Sequence, residues 1–140
     1  MRLREFDLER DYPAVLALWR TAGPGIHVSP SDSQGEIAKK LQRDPDLFLV
    51  AEADERVVGT VLGGFDGRRG LVYHLAVDAA WRERGIGSAL MDELEARLKA
   101  RGCLKALLIV HSENLGVIGF YEHRGWEVMD VLLMGKEFDV

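Results

Sequence analysis

Three apolar segments in quick succession, Leu47–Ala53, Arg56–Phe65 and Leu71–Val77, restrict this chain more than any other feature. They are rich in Val, Leu and Phe, and only Asp54–Glu55 and Asp66–Gly70 (DGRRG) separate them. Strand formers joined that tightly predict an antiparallel meander. The pattern then changes. Arg84–Arg101 places Ile86, Ala89, Leu90, Leu94 and Leu98 at helical spacing, which predicts an amphipathic helix. Gly102 stands where a helix stop belongs. Leu104–Val110 is a nearly continuous apolar run, as expected of a strand covered on both faces.

The flanks fill in the order. Met1–Glu5 alternates and reads as a short first strand. Asp11 is placed to cap a helix through about Arg20, with Pro13 near its first turn and Leu8, Tyr12, Val15, Leu16 and Trp19 on one side. Thr21–Ser33 is a loop dense in Gly, Pro and Ser. Gln34–Arg43 reads as a second helix, ended at Asp44–Asp46 because the residue before Pro45 is biased away from helix. Asn114–His123 reads as a short helix closed by Arg124–Gly125, and Trp126–Phe138 as the last strand region. The order β-α-α-β-β-β-α-β-α-β predicts an α/β (α+β) fold with a mixed sheet.

Length and charge narrow the classes. The chain has 140 residues, which predicts a single domain over 1–140. No apolar run approaches the ~20 residues that cross a bilayer. Met1–Leu8 is too charged for a signal peptide, so a cytoplasmic location is the default expectation. A net charge of −5 argues against nonspecific nucleic-acid binding and suits a cationic substrate such as an amine. The lone Cys103 excludes an internal disulfide and reads as packing. His27, His74, His111 and His123 are dispersed without zinc spacing, so no metal is expected.

The segment Val77–Gly87 (VDAAWRERGIG) carries the chemistry. A strand runs into a loop, and the loop opens the long helix. Orphan N–H groups at a helix start point outward, and the helix dipole adds positive charge. Gly85 and Gly87 let backbone N–H groups approach a ligand, and Arg82 and Arg84 add cationic charge. Such a cradle suits a pyrophosphate. The same glycines also fit a plain tight turn. The dinucleotide G-x-G-x-x-G pattern and the P-loop Lys-Ser/Thr are both absent.

Arg82-x-x-Gly85-x-Gly87 resembles the pyrophosphate-binding motif of the GNAT superfamily of acetyl-CoA-dependent N-acetyltransferases. Leu75-Ala76-Val77 resembles its central strand. Asn114, followed by Phe120-Tyr121-Glu122 and Gly125-Trp126, resembles its second cofactor segment. The order of elements agrees over nearly the whole chain. FLVAEADERVVGTVLGGFDG and LKARGCLKALLIV are similar to the small bacterial YpeA type.

The resemblance implies a mixed, mostly antiparallel sheet of six to seven strands, flanked by about four helices, with splayed central strands. It implies acetyl transfer from acetyl-CoA to a primary amine by direct attack. Backbone of Leu75, Ala76 and Val77 would pair with the pantetheine arm as an added strand. An N–H near Ala76–Val77 would hold the oxyanion. Arg82, Glu83, Arg84, Gly85, Ile86, Gly87 and Ser88 would hold the pyrophosphate. Tyr121 would be the general acid for the leaving thiolate, and Asn114 would either touch the cofactor or cap its helix. The position five before Asn114, a carboxylate in some relatives, is Ile109. The base candidates left are Tyr73 above all, with His74, Glu52, Asp66, His111 and Glu113. Strict alternation would point Tyr73 and His74 to opposite faces. The loop Thr21–Ser33 and the turn Asp66–Gly70 are the expected acceptor elements, with Trp19, Ile26, His27 and Phe65 as candidate lining. Other expectations are a homodimer pairing through Val128–Phe138 and no nucleic-acid or membrane partner. The missing carboxylate at Ile109 also leaves open a noncatalytic acyl-CoA-binding module, and the cradle alone leaves open another phosphate-bearing ligand.

Overall fold

A computed structural model describes residues 1–139. Five strands form one sheet in the order β1-β2-β3-β4-β5. They are Arg2–Glu5 (β1), Phe48–Ala53 (β2), Arg56–Phe65 (β3), Gly70–Val77 (β4) and Ala106–Leu108 (β5). The first four pair antiparallel, and β4 pairs with β5 in parallel. The helices are Leu8–Thr21 (α1), Gln34–Arg43 (α2), Ile86–Ala100 (α3) and Ile118–His123 (α4). No helix among the described residues is long and apolar enough to cross a membrane.

The meander stands as expected. Asp54 and Glu55 turn β2 into β3 with positive φ at both residues (50° and 59°), the geometry whose twist matches a two-residue hairpin. Asp66 shapes the next turn by accepting the N–H groups of Arg68 and Arg69, each at 2.7 Å. β2 is buried on both faces. Leu47, Leu49, Ala51 and Ala53 join the cluster under α3, while Phe48 and Val50 join the one under α1 and α2. The second cluster centres on Trp19, stacked on Phe48, which stacks in turn on Phe6. On the other face Gly59 lets α3 settle on β3, because a Cβ there would meet Ile86 Cγ2 at 2.9 Å.

Three expectations are corrected. The sheet has five strands, not six to seven, because Trp126–Phe138 forms no strand among the described residues. Its apolar residues after Trp126 stand in solvent, with Leu132 95% and Met134 93% exposed. β5 keeps only Ala106–Leu108 of the apolar run 104–110, since it leaves β4 after Leu108. α1 begins at Leu8 and is capped by Asp7, whose carboxylate accepts the Arg10 N–H at 3.0 Å. Pro13 therefore lies in the second turn. Cys103 is half-buried, its thiol facing the Lys105 carbonyl at 3.3 Å.

Asp11 serves elsewhere. It is buried, gripped by both terminal nitrogens of Arg4 at 2.7 and 2.9 Å and by the Asp7 N–H at 2.8 Å. Burial pushes its carboxyl up, but Arg4, that N–H and the nearby Arg10 outweigh it and hold the group below 3.8. Asp44 is likewise buried and held low, by Lys40, the Phe65 N–H and Arg101 against its burial. A carboxyl depressed in the folded state stabilises above its unfolded pKa and stops doing so as pH falls through the folded value. The thermal midpoint should therefore hold as pH falls to about 4 and drop below it. Asp11→Asn and Asp44→Asn should each lower the midpoint at neutral pH and flatten the acid decline. Calorimetry over that range checks this, and an unchanged slope in both variants would refute it.

Candidate functional site

The parting of β4 and β5 creates the site. Their pairing stops at Val72–Leu108, so the edge of β4 from Tyr73 to Val77 faces open space rather than a strand. The splay expected between these two strands is therefore present. A cavity of about 840 Å³ occupies it. That is within the usual range for a small-molecule site.

The cradle closes one end. β4 stops at Val77, a short 3-10 turn follows at Ala79–Trp81, and α3 opens at Ile86. Glu83 and Gly85 both take positive φ (62° and 80°). Gly85 is the N-cap of α3 and offers no side-chain cap, so the first N–H groups of the helix are left for a ligand. Gly85, Ile86, Gly87 and Ser88 line the cavity, as do Arg82 and Glu83. Gly87 lies close to Phe120, whose Cζ would sit 3.6 Å from an added Cβ. The two arginines are used differently. Arg82 donates to the carbonyls of Ala22 (2.5 Å) and Val77 (3.3 Å), tying the cradle to the end of α1. Arg84 lies over the Trp81 ring, 4.7 Å from its centre, and is not among the lining residues. Neither forms an ion pair among the described residues, so both charges stay available to an anion.

The far wall carries Asn114, Phe120 and Tyr121. A 3-10 turn over Ser112–Val117, kinked at Asn114, leads into α4. The Asn114 side chain caps no helix; it lies against Gly25, where no Cβ would fit. Arg124 fastens α4 to α3 through Asp92 (2.6 Å) and Glu95 (3.0 Å). Tyr121 packs edge-on against Phe120 and Trp126. Burial pushes its phenol up to about 12.

The acceptor end is where strict alternation fails. β3 and β4 shift register between Thr60–Ala76 and Leu62–Tyr73, so β4 holds one residue more than β3. The shift is a β-bulge with His74 at φ +49°. It turns His74 to the face that Tyr73 already occupies. Tyr73 pairs opposite Leu62 of the α1–α2 cluster, and His74 packs on Trp19 of α1 at 4.5 Å. Both residues line the cavity, contrary to the expectation of opposite faces. Tyr73 is 40% exposed, with no hydrogen-bond partner for its hydroxyl among the described residues. Ile109, 45% exposed, lines the wall across from it.

Of the other base candidates, only His111 reaches the cavity. Its ring stacks on His27 at 3.8 Å, and His27 Nε2 lies 3.6 Å from Glu113. Glu52 is taken by Arg4 and Arg2 beside α1, outside the cavity. The Asp66–Gly70 turn, expected to meet the acceptor, sits at the opposite end of β4 from the splay and does not line this cavity. Pro24, Gly25 and Ile26 of the Thr21–Ser33 loop do line the cavity. Trp19 is core, 1% exposed. One residue went unnoticed in the sequence. Asp32 bonds His74 Nε2 with both oxygens at 3.0 Å. The run Ser29-Pro30-Ser31-Asp32 forms a capping box, a pattern readable from sequence alone.

The comparisons agree with this layout. Residues 12–126 match the acetyltransferase (GNAT) family. An acetyltransferase of Pectobacterium atrosepticum is 44% identical over 136 residues, covering 97% of this chain and 94% of its own. One from Yersinia enterocolitica is 40% identical over 140 residues, covering 100% and 97%. Among solved structures, Ard1 from Thermoplasma volcanium superposes with a TM-score of 0.79 at 26% identity, covering 91% of this chain and 83% of that one. PaiA N-acetyltransferase from Thermoplasma acidophilum, solved in complex with coenzyme A, gives a TM-score of 0.78 at 22% identity, covering 93% and 91%. A helix-start cradle beside an open strand edge, matched over nearly the full length by named acetyltransferases, makes this chain an enzyme of the GNAT acetyltransferase family.

Proposed function

We propose that the enzyme moves the acetyl group of acetyl-CoA onto a primary amine, by direct attack in a ternary complex. The observation that carries this is the open edge of β4 leading straight into the α3 cradle, with a half-buried phenol in the same cavity. An extended pantetheine arm needs such an edge, and its diphosphate needs such a helix start. The backbone of Leu75, Ala76 and Val77 would take the arm, with the N–H near Ala76–Val77 polarising the thioester carbonyl. Arg82–Ser88 would take the diphosphate, and Asn114 and Tyr121 would close over the arm. Tyr121 protonates the leaving thiolate, and Tyr73 orders the incoming amine or its water. The coenzyme A complex of the PaiA relative supports the same donor class here. The similarity to the YpeA type narrows the size of the enzyme, not its acceptor. A homodimer belongs to the same reading, supported by the exposed run Val128–Phe138 and the unpaired outer edge of β5.

Mixing protein, acetyl-CoA and a panel of polyamines, amino acids, aminoglycosides and peptides, and following free thiol, tests the assignment. Thiol release with at least one amine is expected, with calorimetry showing tighter binding of CoA than of ATP or NAD. Binding of acetyl-CoA with no release for any amine would favour an acyl-CoA-binding module instead. Preferred binding of either nucleotide would move the cradle to another ligand.

A further inference from the structure

We propose that His74, oriented by Asp32, is the base that takes the ammonium proton from the acceptor; the assignment rests on the acetyl-transfer reading above. Asp32 is a buried carboxylate, 6% exposed, and it is placed with care. Its side chain accepts the Ser29 N–H at 3.1 Å, and its carbonyl accepts the Tyr12 hydroxyl at 2.8 Å. Both carboxylate oxygens lie 3.0 Å from His74 Nε2. An ionised carboxylate only accepts, so Nε2 carries the hydrogen and the lone pair of the neutral ring sits on Nδ1. Nδ1 has no partner among the described residues and is not sealed from the cavity that His74 lines.

The residue is held at three points. Trp19 packs against its face, Asp32 fixes its far nitrogen, and the Thr60 hydroxyl donates to its carbonyl at 3.0 Å. Its backbone sits at φ +49°, a conformation that costs a non-glycine residue energy in a strand. A fold that tolerates that strain places the ring in the cavity rather than in solvent. The rival groups lack this support. The Tyr73 phenol has no partner to draw its proton, and His111 has no carboxylate within hydrogen-bond reach.

The step balances. His74 Nδ1 takes one proton from the ammonium group and passes it to water. The freed amine attacks the thioester carbon and the C–N bond forms. Collapse of the tetrahedral adduct breaks the C–S bond. Tyr121 gives its proton to the thiolate and regains one from the new amide nitrogen. The products are the acetamide, the CoA thiol and one proton in solvent.

Two acceptors separate a base from a structural residue. Propylamine is protonated at neutral pH and needs a base; methoxyamine is neutral and does not. His74→Gln should slow propylamine acetylation about 100-fold and methoxyamine acetylation less than about threefold, with the KM for acetyl-CoA unchanged. Added imidazole should restore part of the propylamine rate in His74→Ala. Equal losses for both acceptors, or none, would overturn the assignment while leaving acetyl transfer intact. Wild-type protein that releases thiol with neither amine, nor with any amine of the panel above, would overturn both. Nitrogen-15 NMR of the wild-type imidazole needs no variant: a hydrogen on Nδ1 instead of Nε2 would end the proposal.

Discussion

Tyr121→Phe lowers the acetylation rate by about 10²- to 10⁴-fold, the span expected for a lost proton donor, and leaves acetyl-CoA affinity nearly unchanged. The ring stays, so its packing against Phe120 and Trp126 survives. Only the hydroxyl goes. Burial pushes the phenol up to about 12. A phenol raised that far is fully protonated at neutral pH and has a proton to give. In a phenolate absorbance titration, the wild type should show a late component near 12 that the variant lacks. Steady-state rates with calorimetric binding read the first effect. A fall in rate smaller than about threefold, or a matching loss of affinity, would remove Tyr121 from the proton path.

Trp19→Ala is expected to cost about 3–5 kcal/mol, the range for deleting a buried aromatic side chain. Trp19 is 1% exposed and stacks on Phe48. Its indole N–H also donates to the Thr60 hydroxyl at 3.0 Å. A domain of this size has only about 5–15 kcal/mol of stability, so the variant approaches its unfolding threshold. The thermal midpoint should fall by roughly 10–15 °C. Denaturant unfolding measures the loss directly, and a cost under about 1 kcal/mol would mean that the cavity collapses or that the α1 layer packs differently. Trp19→Phe keeps the stacking and loses the hydrogen bond, so it should lie between the two proteins.

The meander was legible because its turns are local. Asp54–Glu55 and Asp66–Gly70 bound β3 where the structure bounds it, and α2 spans Gln34–Arg43 as read. The cradle was legible for the same reason: Arg82, Gly85 and Gly87 lie within one short run. What failed depends on distant partners. Asp7 and Asp11 both precede a helical pattern, and only the contact with Arg4 shows that Asp11 goes inward. The run 126–138 has strand composition, but strand state needs a neighbour that the described residues do not supply. The Asp32–His74 bond joins residues 42 apart. The bulge at His74 is one extra residue against β3, which alternation along β4 alone cannot register.

The sheet separates the two halves of the chemistry. Arg82 clasps the start of the insert at Ala22, while Tyr12 and His74 clasp its end at Asp32. Between those clasps, Pro24, Gly25 and Ile26 line the cavity, with Gly25 against Asn114 and His27 stacked on His111. A lineage of such chains can therefore rewrite that stretch to suit a new amine, provided Gly25 is kept, because a side chain there would push Asn114 out of place. Swapping the insert between relatives, with both clasps retained, is the shortest route by which this scaffold changes its clientele.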